Sequence, residues 1–155
     1  MIIRKDSVAP TVSKGTYPAP YTLPAGRLMW QALGDAGGLT QYGVSLETLH
    51  PGAVSSQMHW EDREDEFLYM LAGELTVIED GEEAIVTQGD ACAWKANTKV
   101  AHQLRNHSDA DATYLIIGTR DPENTCHYPG LDMLATPAGY THLDGTKYPQ
   151  KGDDQ

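Results

Sequence analysis

The amino-acid sequence predicts an all-β fold, a sandwich or barrel of short strands, and three observations carry that prediction. Apolar runs of strand length recur from Thr40 onward, turn residues (Gly, Asp, Asn) separate them, and no stretch of this region repeats apolar residues at helical spacing over three turns.

The elements follow in chain order. Residues 1–27 carry Pro10, Pro18, Pro20 and Pro24, and proline excludes a helix interior or a central strand, so this arm is expected to run extended over a surface. The strand-length runs are then "QYGVSLETL", "EFLYMLAG", "ELTVIED", "EEAIVTQ", "ACAW", "HQLRN" and "ATYLIIGT". The clearest hairpin is "ELTVIEDGEEAIVTQGD", turning at Asp80-Gly81, a dipeptide that readily takes positive φ; Gly89-Asp90 marks the next turn. Phe67, Tyr69 and Leu71 make the face opposite Glu66 apolar as well, so that outer face is expected to cover itself with a second sheet or a partner subunit, and a homodimer is the expectation. The organisation is an arm over 1–27, a barrel domain over 28–142 and a polar tail over 143–155, whose final stretch "KYPQKGDDQ" is expected to fray.

A chain of 155 residues suits one domain. Its formal net charge of -11 argues against nucleic acid and anionic membrane as partners, because both demand clustered Lys and Arg, and a small-molecule ligand is expected instead. No segment is apolar enough to span a bilayer, and the two cysteines, Cys92 and Cys126, form no C-x-x-C pair, so reduced thiols and a cytoplasmic location are expected. Cys92, in "DACAW", reads as a small buried thiol.

The chemistry concentrates in "SQMHWEDREDEF", residues 56–67. Alternation along a strand sends His59 and Glu61 to one face and Trp60 to the other, the spacing of a chelating pair. Glu66 shares its face with Leu68 and Met70, so its carboxylate enters the core, where an unpaired charge costs several kcal/mol, roughly, unless a cation or a donor meets it. His102 opens another strand with Leu104 and Asn106 on its face. Asp62, Glu64 and Asp65 read as a solvated run. His50, His107 and His142 read as surface or loop residues.

These residues resemble the two motifs of the cupin superfamily, G-x5-H-x-H-x3,4-E-x6-G and G-x5-P-x-G-x2-H-x3-N. The first corresponds to Gly52, His59, Glu61, Glu66 and Gly73, and the second to Gly89, His102 and Asn106, over a resemblance spanning roughly residues 28–119. The chain departs from the pattern in four ways: His59 falls one residue late, Glu61 replaces the second histidine, Lys95 and Asn97 stand where Pro and Gly are usual, and His102 falls two residues late. The resemblance implies a double-stranded β-helix of jelly-roll type. It also implies one divalent metal ion per chain (Fe, Mn, Ni or Zn) held by His59, Glu61, Glu66 and His102. An enzyme acting on a small oxygen-rich metabolite follows, through oxygenase, isomerase or epimerase, decarboxylase or lyase chemistry; the alternative is a non-catalytic cupin that binds a sugar or similar metabolite. Tyr69 and Trp94 are candidate wall residues.

Overall fold

The computed structural model describes residues 1–15 and 17–149. It is an all-β jelly roll. In chain order the strands are β1 (Thr11–Val12), β2 (Leu28–Ala32), β3 (Tyr42–Leu49), β4 (Trp60–Glu61), β5 (Glu66–Ala72), β6 (Glu74–Glu79) and β7 (Glu82–Thr87), with one short helix, α1 (Leu33–Ala36), after β2. They continue as β8 (Ala91–Trp94), β9 (His102–Arg105), β10 (Ala112–Thr119), β11 (Cys126–His127), β12 (Leu134–Thr136) and β13 (Gly139–Thr141).

Three antiparallel sheets result: a six-stranded one in the order β1-β2-β3-β10-β5-β8, a three-stranded one in the order β7-β6-β9, and a four-stranded one in the order β13-β12-β11-β4. The first two close on a common core. Leu49, Leu68, Met70, Ala112 and Tyr114 reach it from the large sheet and Leu75, Val77 and Leu104 from the small one. Alternation decides which residues go in: in β5, Leu68 and Met70 are fully buried while Phe67 and Tyr69 stay about two-fifths exposed, at 40% and 41%. Glu66 therefore sits at the inward-facing end of β5, as its spacing predicts. Tyr69 does not; it faces outward, so it is no wall of the interior.

The turns carry the expected chemistry. The β6-β7 hairpin turns at Asp80 (φ 46°) and Gly81 (φ 86°). Gly73 takes φ 75°, and a Cβ there would come within 2.5 Å of the Asp111 carbonyl oxygen, which explains glycine at the end of the first motif. Asn97, standing where the pattern has glycine, also adopts a left-handed conformation (φ 61°), one that asparagine tolerates better than most residues.

A second, smaller core lies under the four-stranded sheet, where Cys126, Tyr128 and Met133 pack with Tyr140, Tyr148, Leu131 and, from the arm, Tyr17 and Tyr21. The arm is accordingly more than a surface cover. It adds the edge strand β1 to β2, and the Tyr21 hydroxyl accepts a hydrogen bond from Asp132 N at 3.1 Å. Of the stretch expected to fray, Lys147 bridges Thr141 and the Tyr148 hydroxyl donates to the Asp132 carbonyl at 2.6 Å, because an aromatic side chain here has an apolar cluster to join; residues 150–155 lie outside the described residues.

Candidate metal centre

Strand pairing assembles the centre around β4. On one side of it, His59 forms an antiparallel bridge with His102, each backbone N–H bonded to the other's carbonyl (3.1 and 2.8 Å). On the other side, Glu61 pairs with Cys126 and Trp60 with His127. Directly paired residues share a face. His59, Glu61, His102 and Cys126 thus face inward together, while Trp60 and His127 stack on the opposite face with centroids 4.0 Å apart.

The donor atoms of His59, Glu66 and His102 all lie within 4.8 Å of one another. Glu61 does not join that group. It forms a second one with His59 and Cys126, within the same limit, so the four residues expected to converge divide into two sets sharing His59. Bonds of about 2.0–2.3 Å to an ion place tetrahedral donors about 3.5 Å apart, so small side-chain rotations would seat a metal in either set.

Each donor is oriented by its neighbours. His59 Nδ1 lies 2.9 Å from the Gln57 carbonyl oxygen, which fixes the tautomer and leaves Nε2 facing inward as a lone-pair donor. Burial and the neighbouring His102 hold the His59 pKa below its usual value, favouring the neutral imidazole that a metal requires. His102 Nε2 lies 3.1 Å from Glu66 Oε1, its ring stacks on Trp94 with centroids 3.9 Å apart, and its Nδ1 is buried without a hydrogen-bond partner. Trp94 does line the interior, 6% exposed. An orphaned buried nitrogen, two imidazoles and converging carboxylates form a donor set that fits a divalent ion of the Fe, Mn, Ni or Zn type.

Glu61 is the most perturbed carboxyl of the centre. Burial first, then the nearby Glu66 and Glu64, push its pKa up to about 8, against a hydrogen bond from Asn124 that lowers it. The Asn97 amide donates to its carbonyl at 2.8 Å and ties its backbone to the loop before β9. It borders a cavity of about 380 Å³ with His59, Glu64, Asp121, Asn124, Cys126 and Tyr128.

The acidic run is not merely solvated. Asp62 accepts from Thr125 N (2.8 Å), Asp65 from Ala96 N (2.8 Å) and Glu64 from Asp121 N (2.7 Å), so each carboxylate fastens the loop between Glu61 and Glu66 to another segment. Such partners are 31–63 residues away in the chain and leave no local signal. Three further participants escape a reading by local pattern: Cys126, Tyr128 and Glu47. The last accepts a 2.8 Å bond from the Tyr114 hydroxyl inside the barrel, and burial pushes its pKa up to about 7.

A fold and site of this kind define a class: small jelly-roll proteins with a histidine-carboxylate centre inside the barrel. The Cupin domain family matches residues 45–118. The chain is 34% identical to a sugar phosphate isomerase of the cupin superfamily from Silicibacter pomeroyi, with 97% of this chain and 98% of that one covered at a TM-score of 0.87. It is 25% identical to a putative sugar phosphate isomerase from Acidithiobacillus ferrooxidans, over 76% of each chain at a TM-score of 0.70. A predicted oxalate decarboxylase from Thermotoga maritima, 20% identical over 77% of this chain and 98% of that one, shares the fold at a TM-score of 0.62. No curated protein matches. The chain belongs to the cupin superfamily. Among the described residues no helix is long and apolar enough to cross a membrane.

Proposed function

We propose that this protein is a metal-dependent cupin enzyme that moves a proton between adjacent carbons of a small, uncharged hydroxy-carbonyl sugar, an isomerase in reaction type. The observation that carries the metal is the convergence of His59, Glu66 and His102 within 4.8 Å. Support for the reaction type comes from the relative described as a sugar phosphate isomerase, which aligns along nearly the whole chain. The charge of the cavity beside His59 supports a substrate without phosphate: its lining holds Glu61, Glu64 and Asp121 and, among the described residues, no Lys or Arg, so a phosphate dianion there would meet repulsion, while Lys95 borders the small hollow at Glu66 and His102.

A divalent ion bound here supplies Lewis acidity to adjacent carbonyl and hydroxyl oxygens. Neutral His59, held by Gln57, keeps its free nitrogen on the cavity side. With the ion held by His59, Glu66 and His102, Glu61 stays outside its ligand set. Its carboxyl, raised to about 8 in the ion-free chain, is poised in its deprotonated form to take the proton from the carbon next to the carbonyl and return it to the neighbouring carbon. Asn124 and Tyr128 offer hydrogen bonds to substrate hydroxyls, and Trp94 closes the interior beside His102.

The test is solvent exchange. Protein loaded with Fe, Mn, Ni or Zn is incubated in D₂O with a panel of aldoses and ketoses and with their phosphates, and proton NMR follows the carbon next to the carbonyl. Metal-dependent deuterium uptake in unphosphorylated sugars is expected. Tight sugar binding without exchange would refute the isomerase and leave the non-catalytic binding protein.

We also propose a homodimer formed through the outer face of the large sheet. Phe67, Tyr69 and Tyr42 are each at least 40% exposed there, and Tyr42, Phe67, Ala93 and Ile117 border an apolar hollow of about 590 Å³.

A further inference from the structure

We propose that Cys126 is a metal ligand, and that His59, Glu61 and Cys126 form a thiolate-containing ion position sharing its imidazole with the set of Glu66 and His102. This rests on the reading of the centre as a metal site and extends it to a donor of a different chemical kind.

Three observations on the geometry carry it. The donor atoms of His59, Glu61 and Cys126 lie within 4.8 Å of one another, inside the same limit as the first set. The register makes this a built arrangement: β11 lays Cys126 directly opposite Glu61, and alternation along β4 puts His59 on that same face. The thiol also borders the 380 Å³ cavity with its two partners, where a cation can reach it. Cys126 is also a member of the second core, packed with Tyr128 and Met133, and it lies where that core meets the cavity.

The surroundings suit the charge change. Burial pushes the free thiol up to about 12, so without an ion it stays protonated. On coordination the sulfur gives its proton to water and its lone pair to the metal, and the thiolate negative charge is met by the cation. The neighbouring Tyr128 side chain works against that burial and favours the ionised sulfur. Because one His59 nitrogen serves both sets, a chain binds one ion. Softer ions such as Zn(II) and Co(II) take the sulfur-containing position, and harder Mn(II) the His59-Glu66-His102 position.

Co(II) titration of chelator-stripped protein tests this by spectroscopy. One Co(II) per chain should bind, with visible ligand-field bands and a near-ultraviolet thiolate-to-cobalt charge-transfer band. Cys126→Ser should abolish the charge-transfer band and weaken Zn(II) binding about tenfold or more, while Cys92→Ser should keep both. The chain has only 2 cysteines, so persistence of the band in Cys92→Ser assigns it to Cys126 even if Cys126→Ser fails to fold. Ligand-field bands at full stoichiometry without charge transfer would overturn the thiolate ligand and leave the metal centre standing. Absence of any bound Co(II) would overturn both.

Discussion

Replacing Glu61 by Gln should stabilise the metal-free protein at alkaline pH and destabilise the metal-loaded one, an inversion that follows from the crowding of three carboxyls. In the stripped protein the Glu61 pKa rises from 4.5 unfolded to about 8 folded. A carboxyl raised in this way binds its proton more tightly in the folded state, so it costs nothing below about pH 4.5 and an increasing amount as pH climbs toward 8. At about 1.36 kcal/mol per unit the ceiling is about 5 kcal/mol. Water in the cavity and proton sharing among Glu61, Glu64 and Glu66 bring this to about 2–3 kcal/mol. Glutamine keeps the shape and the bond to Asn124 without the charge. For a chain of this size about 2–4 °C accompanies each kcal/mol, so Glu61→Gln should melt about 5–10 °C above the parent at about pH 8.5 in chelator and level with it at about pH 4, below the unfolded pKa. Glu47, also raised, is common to both proteins and cancels in the difference. Circular dichroism melts at the two pH values, repeated with saturating Zn(II), make the measurement. If the variant is equally destabilised at both pH values without metal, Glu61 is not held protonated by its neighbours.

Three other outcomes follow from the fold. Asn106 is fully buried and makes four bonds, donating to the Leu49 and Ala110 carbonyls and accepting from the Ser108 amide and hydroxyl, so Asn106→Ala should cost about 2–4 kcal/mol in urea unfolding. Gly73→Ala forces a Cβ to 2.5 Å from the Asp111 oxygen at a positive φ and should cost about 2 kcal/mol or more; an unchanged urea midpoint would contradict the close approach. Phe67→Arg should convert a dimer to a monomer by light scattering while leaving Zn(II) binding in place, and a parent that is already monomeric would remove the proposed interface.

Local pattern carried the fold and half of the centre. The period of two in β5 correctly sends Leu68 and Met70 inward with Glu66, and H-x-E correctly puts His59 and Glu61 on one face, because both statements concern neighbours in one strand. What local pattern does not encode is which strand lies alongside. His59 meets His102 and Glu61 meets Cys126 through pairings that only the closed barrel creates, and for that reason Glu61 falls in with a cysteine rather than with Glu66 and His102. The acidic loop hides its role similarly, since a carboxylate capping a distant amide looks in sequence like any solvated one. Glu47 is hidden for a different reason: within "QYGVSLETL" a lone glutamate reads as the polar side of a strand, whereas its partner Tyr114 belongs to the adjacent β10.

The tyrosines that join the arm to the four-stranded sheet bear on the order in which the chain is made. Tyr21 finds Asp132 across 111 positions of sequence, and Tyr17 stacks edge-on against Tyr128 at 5.7 Å. During synthesis the arm therefore leaves the ribosome long before its partners exist, and at about 5–20 residues per second it waits several seconds with two aromatic rings unsheltered. Its prolines keep it extended in the meantime, a poor template for pairing with other nascent chains. Docking must come last, and since the Tyr17 hydroxyl accepts from the amide of Gln57, two residues before His59, the loop that carries His59 takes its final shape only when translation has delivered Tyr128 and its neighbours.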